Sequence, residues 1–167
     1  MQDPLFLLHR RVFLRAGAVI SFGLVAGCST SNIQTSGKGT GSDQTAATLG
    51  YVNGLRQGKG LSTLVSDPAA SVAALHQAAR MAETGKMQHN IGWRDNFHDR
   101  MKGQGVTFPV AENIAMGQEA AEDAYRAWVN SSGHLKNMLG DYRGLGVAMA
   151  RNSASGNRPY WAMVLSG

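Results

Sequence analysis

A single cysteine in 167 residues constrains this chain more than any other feature. Cys28 cannot close an internal disulfide, because it has no partner. An exported fold of this composition must therefore hold together by burial alone. The residues before Cys28 point to export. Arg10-Arg11-Val12-Phe13-Leu14-Arg15 is a basic patch, and a mostly apolar run of 11 residues follows it from Ala16 to Ala26. That run is too short to span a bilayer as a permanent helix and suits a removable signal.

The run ends in Val25-Ala26-Gly27-Cys28. This resembles a bacterial lipobox, in which small residues precede a cysteine that receives lipid and becomes the first residue of the mature chain. The basic patch resembles a twin-arginine signal, with His9 in place of the hydroxyl residue and Arg15 in place of lysine, so the export route stays open. A membrane anchor with an incidental cysteine is the competing reading. The position of Cys28 at the boundary favours lipidation. Ser29 follows instead of aspartate, which implies an outer-membrane location facing the periplasm where the host has one. The resulting division is an export signal over 1–27, a tether over 28–43 and a folded domain over 44–167. The tether assignment rests on the Ser, Thr, Gly, Asn, Gln and Lys content of residues 29–42, which has little to bury.

Without the signal, 140 residues remain, enough for one domain with a single core. Their formal charge is +3, because the signal takes three arginines and one aspartate out of a total of +5. The basic residues are scattered, with no stripe interleaved with aromatics, so nucleic-acid binding is not expected.

Helical spacing predicts a helix over 44–57, ended by Gly58 and Gly60. Asp67-Pro68 predicts the start of another, by an N-cap aspartate with proline at the first position, running to Gly85. Val72, Leu75, Ala79 and Ala82 read as its buried stripe, with His76 at the edge of the core. A short helix is expected over 95–102, and one with acids in its first turns over 118–130, burying Ala121, Ala124, Tyr125 and Trp128. Leu145, Val147 and Met149 alternate with small residues, and a second strand runs from Tyr160 to Leu165. The Asn, Ser and Gly content between them predicts an antiparallel hairpin.

The segment from Trp128 to Leu139 stands apart. Trp128 closes one helix, Ser131-Ser132-Gly133 follow, and His134 falls in the first turn of the next. The positive end of a helix repels an imidazolium, which favours the neutral ring that binds metals or accepts protons. A polar residue at a helix start is the plainer reading. Ser131 and Ser132 read as caps of that helix rather than nucleophiles.

Taken together, Ala111-Glu112-Asn113-Ile114-Ala115, then Ala127-Trp128, Ser131, Gly133-His134 and Asn137-Met138-Leu139, then Leu145-Gly146-Val147-Ala148, then Tyr160-Trp161, resemble the CAP superfamily of SCP-like extracellular domains. The resemblance runs over about 45–167. It implies an α+β fold, an α-β-α sandwich with a small antiparallel sheet between helices. It also implies a cleft lined by two histidines and one or two acids. His134 and Glu112 match two of those positions. His89 fits the other histidine, with Arg100 and Gly103 where the family has an intervening arginine and glycine, and His98 is the competitor. The second glutamate of many members has no counterpart in Val129-Asn130-Ser131.

Two neutral imidazoles and a carboxylate are a donor set for zinc or another divalent metal, so His89, His134 and Glu112 are the candidate ligands. Metal-assisted hydrolysis of envelope peptides or esters is one reading. Another is a non-catalytic module that holds an apolar or envelope-derived ligand, supported by the family's association with sterols and fatty acids and by eight methionines. A purely structural envelope protein is the third. The binding module is the favoured reading. Asn113 and Asn137 are expected to satisfy buried backbone groups.

Overall fold

The structure is a computed structural model that describes residues 32–34 and 39–167. The export signal, the lipidation site at Cys28 and half of the expected tether lie outside the described residues. Part of that tether is corrected: Gly39–Asp43 form a strand, β2, paired antiparallel with the hairpin strand near the end of the chain. A run of Gly, Thr and Ser has little to bury, so composition reads it as linker. It is ordered by ladder hydrogen bonds to a neighbour far away in sequence. A three-residue strand β1, Asn32–Gln34, pairs with β2 in turn.

After β2 come helix α1 (Thr45–Gln57), the two-residue strand β3 (Val65–Ser66), helix α2 (Pro68–Thr84), helix α3 (Phe97–Gly103), strand β4 (Val110–Met116), helices α4 (Ala121–Val129) and α5 (Ser132–Met138), and the hairpin β5 (Gly144–Asn152) and β6 (Tyr160–Ser166). The sheet runs in the order β1-β2-β5-β6-β4, antiparallel throughout, with β3 alone parallel to the start of β5. The hairpin forms where its turn residues place it: Asn152 Oδ1 accepts from Ala154 N at 2.9 Å, and Gly156 takes φ 69°.

Two cores lie on opposite faces of this sheet. One holds the small face of α2 with Met101, Ile114, Tyr160 and Val164. The other holds Trp128, Met138, Trp161, Met163 and Leu165 beneath α1, α4 and α5. This is the α-β-α sandwich expected. Strand β4 had not been assigned from the sequence. It is an edge strand whose odd residues, Ala111 and Ala115, serve the second core while Val110, Ile114 and Met116 serve the first. Because both faces are buried, no polar alternation marks it.

The buried face of α2 includes Ala82, with Leu75 and Ala79 packed against the core as expected, but it is centred elsewhere. Val72 is 61 % exposed, and His76 is exposed, with Nδ1 3.0 Å from Gln104 Nε2. Ala70, Ala73, Ala74 and Ala78 are fully buried instead. The cause is the floor beneath. A Cβ on Gly146 of β5 would lie 2.1 Å from the Ala70 carbonyl carbon and the Ser71 nitrogen, so helix backbone rests on strand backbone. Only small side chains fit a contact this close.

Gly146→Ala is therefore expected to cost at least about 3 kcal/mol, as severe overpacking against backbone. Gly133→Ala in α5, where an added Cβ meets nothing within 4 Å, should stay within about 1 kcal/mol of wild type. Urea midpoints of the two variants check the contrast.

Candidate functional site

Glu112 sits mid-way along β4 with its side chain on the α2–α3 side and only 2 % exposed. A bare buried carboxylate would be costly, and this one is paired twice. Arg100 of α3 donates through Nη1 to Glu112 Oε2 at 3.0 Å, and its Nη2 reaches Oε1 at 3.3 Å. His89 Nδ1 lies 2.9 Å from Oε1. A carboxylate facing a guanidinium can only accept, so the proton belongs on Nδ1. That leaves Nε2 of a side chain that is 48 % exposed as the free nitrogen.

The loop that carries His89 is held by α2 and α3. Gln77, fully buried, donates to the carbonyls of Gln88 at 2.7 Å and His89 at 3.2 Å. Arg80 donates to the Ile91 carbonyl and pairs with Asp95 at 2.5 Å. Arg100 Nη2 adds a bond to the His89 carbonyl at 3.0 Å, and its Nε lies 3.6 Å from Asp95. Burial pushes the Asp95 carboxyl upward. The Arg80 hydrogen bond, the Ile91 backbone bond and both guanidinium charges outweigh it and hold the group below its ordinary range.

His134 approaches from the other side of the β4 edge, as the third residue of α5. Ser131 occupies the N-cap position as expected, but its side chain makes no cap bond. Instead Asn113, fully buried, donates to the His134 carbonyl at 3.1 Å, and Asn137 donates to Asn113 Oδ1 at 2.9 Å. The two asparagines tie α5 to β4, as their reading from sequence required. The far end of α5 is held by Arg56, 1 % exposed, which donates to the carbonyls of Met138 at 2.9 Å and Gly140 at 2.8 Å. Burial lowers the His134 pKa, and the nearby charge of His89 lowers it further.

Of the three residues expected to converge, His89 and Glu112 are in direct contact, and His134 is close enough to feel His89 electrostatically. His98 is separate: its ring stacks on Phe108 with centroids 5.7 Å apart. One expectation needs correction. Glu112 is unsuited to ligate a metal, because both oxygens are committed to Arg100 and His89. It orients His89 from behind, an arrangement typical of metal-binding histidines. Among the described residues, no three His, Cys, Asp or Glu side chains are arranged to hold a metal ion. Two imidazole nitrogens are what the cleft offers.

Hollows flank the cleft. One of about 360 Å³ is bordered by His89, Phe97, Glu112 and Asn137. Another of about 260 Å³ is lined by Met87, Ile114, Met116, Gln118, Trp128 and His134. Trp128 Nε1 and Gln118 Oε1, both in residues of the second wall, are buried without a hydrogen-bond partner.

Residues 49–165 match the model of the cysteine-rich secretory protein family, CAP. The chain belongs to the CAP family. It is 33 % identical over 110 residues to protein YkwD of Bacillus subtilis, a match that covers 65 % of this chain and 43 % of that protein. Its fold is similar to an extracellular SCP-domain protein from Bacillus anthracis, at TM-score 0.63 and 24 % identity, covering 72 % of this chain and 39 % of that one. It is also similar to an outer surface protein from Borrelia burgdorferi, at TM-score 0.64 and 18 % identity, covering 83 % and 98 % respectively. The chain thus spans less than half of two of these relatives. The two structural relatives are extracellular or surface proteins by name, in keeping with export, and no described helix is long and apolar enough to cross a membrane.

The residues missed by sequence reading are Gln77, Arg80, Asp95, Met87 and Gln118. Gln77 and Arg80 did carry a signal: they are the polar positions three apart at the far end of the alanine face of α2.

Glu112→Gln should cost on the order of 3 kcal/mol, because it leaves the buried Arg100 charge without its main partner. The same variant should speed solvent exchange of the His89 Nδ1 proton, read by NMR. A pH effect also follows. His134 and His76 are both held below the ordinary 6.5, His76, although its side chain reaches solvent, by partial loss of water around the ring and then by the Arg80 and Arg100 charges. The unfolded chain binds these protons first, so stability is complete above that value and falls as pH drops through the folded values. Urea titrations in metal-free buffer should show this slope, and His134→Ala should flatten it.

Proposed function

We propose that this CAP-family chain is a lipid-anchored binding module of the cell envelope, tethered through Cys28. Its cleft holds a ligand with an apolar body and a polar head. The observation that carries this reading is the hollow beside His134. Its wall is largely apolar, formed by Met87, Ile114, Ala115, Met116 and Trp128, with Gln118, Ser131 and His134 as its polar residues. An apolar body suits the first set, and a head group that both accepts and donates suits the second.

A divalent metal fits alongside through two ligands, His89 Nε2 and His134, with Glu112 orienting the first. When bound, such an ion supplies positive charge for an anionic head. The lowered pKa of His134 keeps that ring neutral and ready to ligate near neutrality. Hydrolysis is less well supported, because the one buried carboxylate beside the histidines is already committed and has no free oxygen to act as a base.

Native mass spectrometry of protein extracted from its own membrane is expected to show a co-purified lipid-like mass. Met87→Asp puts a charge into the apolar wall at an exposed position, and should weaken uptake of a fluorescent fatty acid about fivefold. Zinc titration should lose most of its affinity in both His89→Ala and His134→Ala. A ligand-free mass, with no melting-temperature shift from fatty acid or zinc, overturns the reading.

A further inference from the structure

Trp93 takes no part in the cleft, and its placement is unusual. It is 87 % exposed, while Trp128 and Trp161 are at most 1 % exposed. An aromatic of this size in water needs a reason. It does not ride on a slack loop: the backbone two residues before it is held on both sides, the Ile91 carbonyl by Arg80 and the Ile91 N–H by Asp95. Arg94, at φ 60°, lays its guanidinium 4.7 Å from the Trp93 ring centroid. That covers one face of the indole and leaves the other to solvent.

Gly92 and Arg94, the two chain neighbours of Trp93, both line an open hollow of about 630 Å³. Its remaining wall includes Asn90, Phe97, His98 and Asp99. The Asn90 amide and the Asp99 carboxylate are exposed. Asn90 and Phe97 also border the hollow beside His89, so the two spaces adjoin.

We propose that Trp93 and the hollow beside it form a binding site for an uncharged oligosaccharide. A pyranose ring has an apolar C–H face and a rim of hydroxyls. The apolar face suits the free side of a braced indole. The hydroxyls suit a planar amide, which donates and accepts, and a carboxylate, which accepts two at once. A lipid surface would also attract an exposed tryptophan. Here it would have to desolvate Asp99 and Asn90 in the adjoining hollow, which disfavours it. Nucleic acid is disfavoured by the same carboxylate and by the lack of a basic groove.

The test uses the full-length chain in detergent, with tetramers of N-acetylglucosamine and of glucose as probes. Because the other two tryptophans are buried, iodide quenching reports on Trp93. Saturable protection from iodide by at least one tetramer is expected. By calorimetry, Trp93→Ala should weaken binding by roughly tenfold or more, Trp93→Phe should retain part of it, and Asp99→Asn should weaken it several-fold. His134→Ala should bind as wild type, which separates this site from the cleft. Circular dichroism confirms folding of each variant. The proposal is overturned if neither tetramer gives a saturable response, or if Trp93→Ala binds equally well. It is also overturned, in favour of membrane docking, if Trp93 responds only to phosphatidylethanolamine–phosphatidylglycerol vesicles.

Discussion

Helix α2 lies on bare strand backbone at Gly146, and the site is assembled from that contact outward. A methyl group there would sit 2.1 Å from the helix main chain, so the helix has one height above the sheet. The alanines at 70, 73, 74 and 78 follow from it, since larger side chains would lift the helix off. Without an internal disulfide, this close packing does the work a crosslink does in other small exported domains. Its consequence is positional. The side chains of Gln77 and Arg80 reach carbonyls of the loop that follows, and that loop carries His89.

A second chain of constraint is electrostatic. Arg80, Asp95, Arg100 and Glu112 alternate in sign across three elements, each in contact or near contact with the next. Arg100 and Glu112 are almost out of water, so each would be very costly alone. Together they position one imidazole without using it. Glu112 fixes which nitrogen of His89 carries the proton and turns the other outward. On the far side of β4, the Asn113–Asn137 pair and Arg56 hold α5 by its carbonyls, and His134 comes with it. The proposed site lies at the β4 edge of the sheet, between these two braced segments.

Much of the plan was legible in the chain itself. Asp67-Pro68 announced α2 by cap chemistry alone, and the Asn/Ser/Gly run announced the hairpin turn. The CAP resemblance paired His89 with Glu112, which are in contact. Three features were not legible, each for a physical reason. Val72 looked like core because it is large and apolar, yet it faces solvent, and the turn that rests on Gly146 presents alanines to the sheet. Residues 39–43 looked like linker because they bury little, yet they are held by ladder bonds to β5. Glu112 looked like a metal ligand because its type and position fit, yet Arg100 takes its free oxygen, and residue type does not reveal a partner twelve positions away.

The sequence by itself determined that the chain is α+β and that its helices start and stop near the caps, prolines and glycines that mark them. These are local matters of spacing and backbone chemistry. Tertiary structure alone decided which residues of α2 meet the sheet and which partners hold the Glu112 carboxylate. Those outcomes depend on what stands opposite each group once the sheet closes, and groups brought within 3 Å of each other from distant segments leave no trace in their order along the chain.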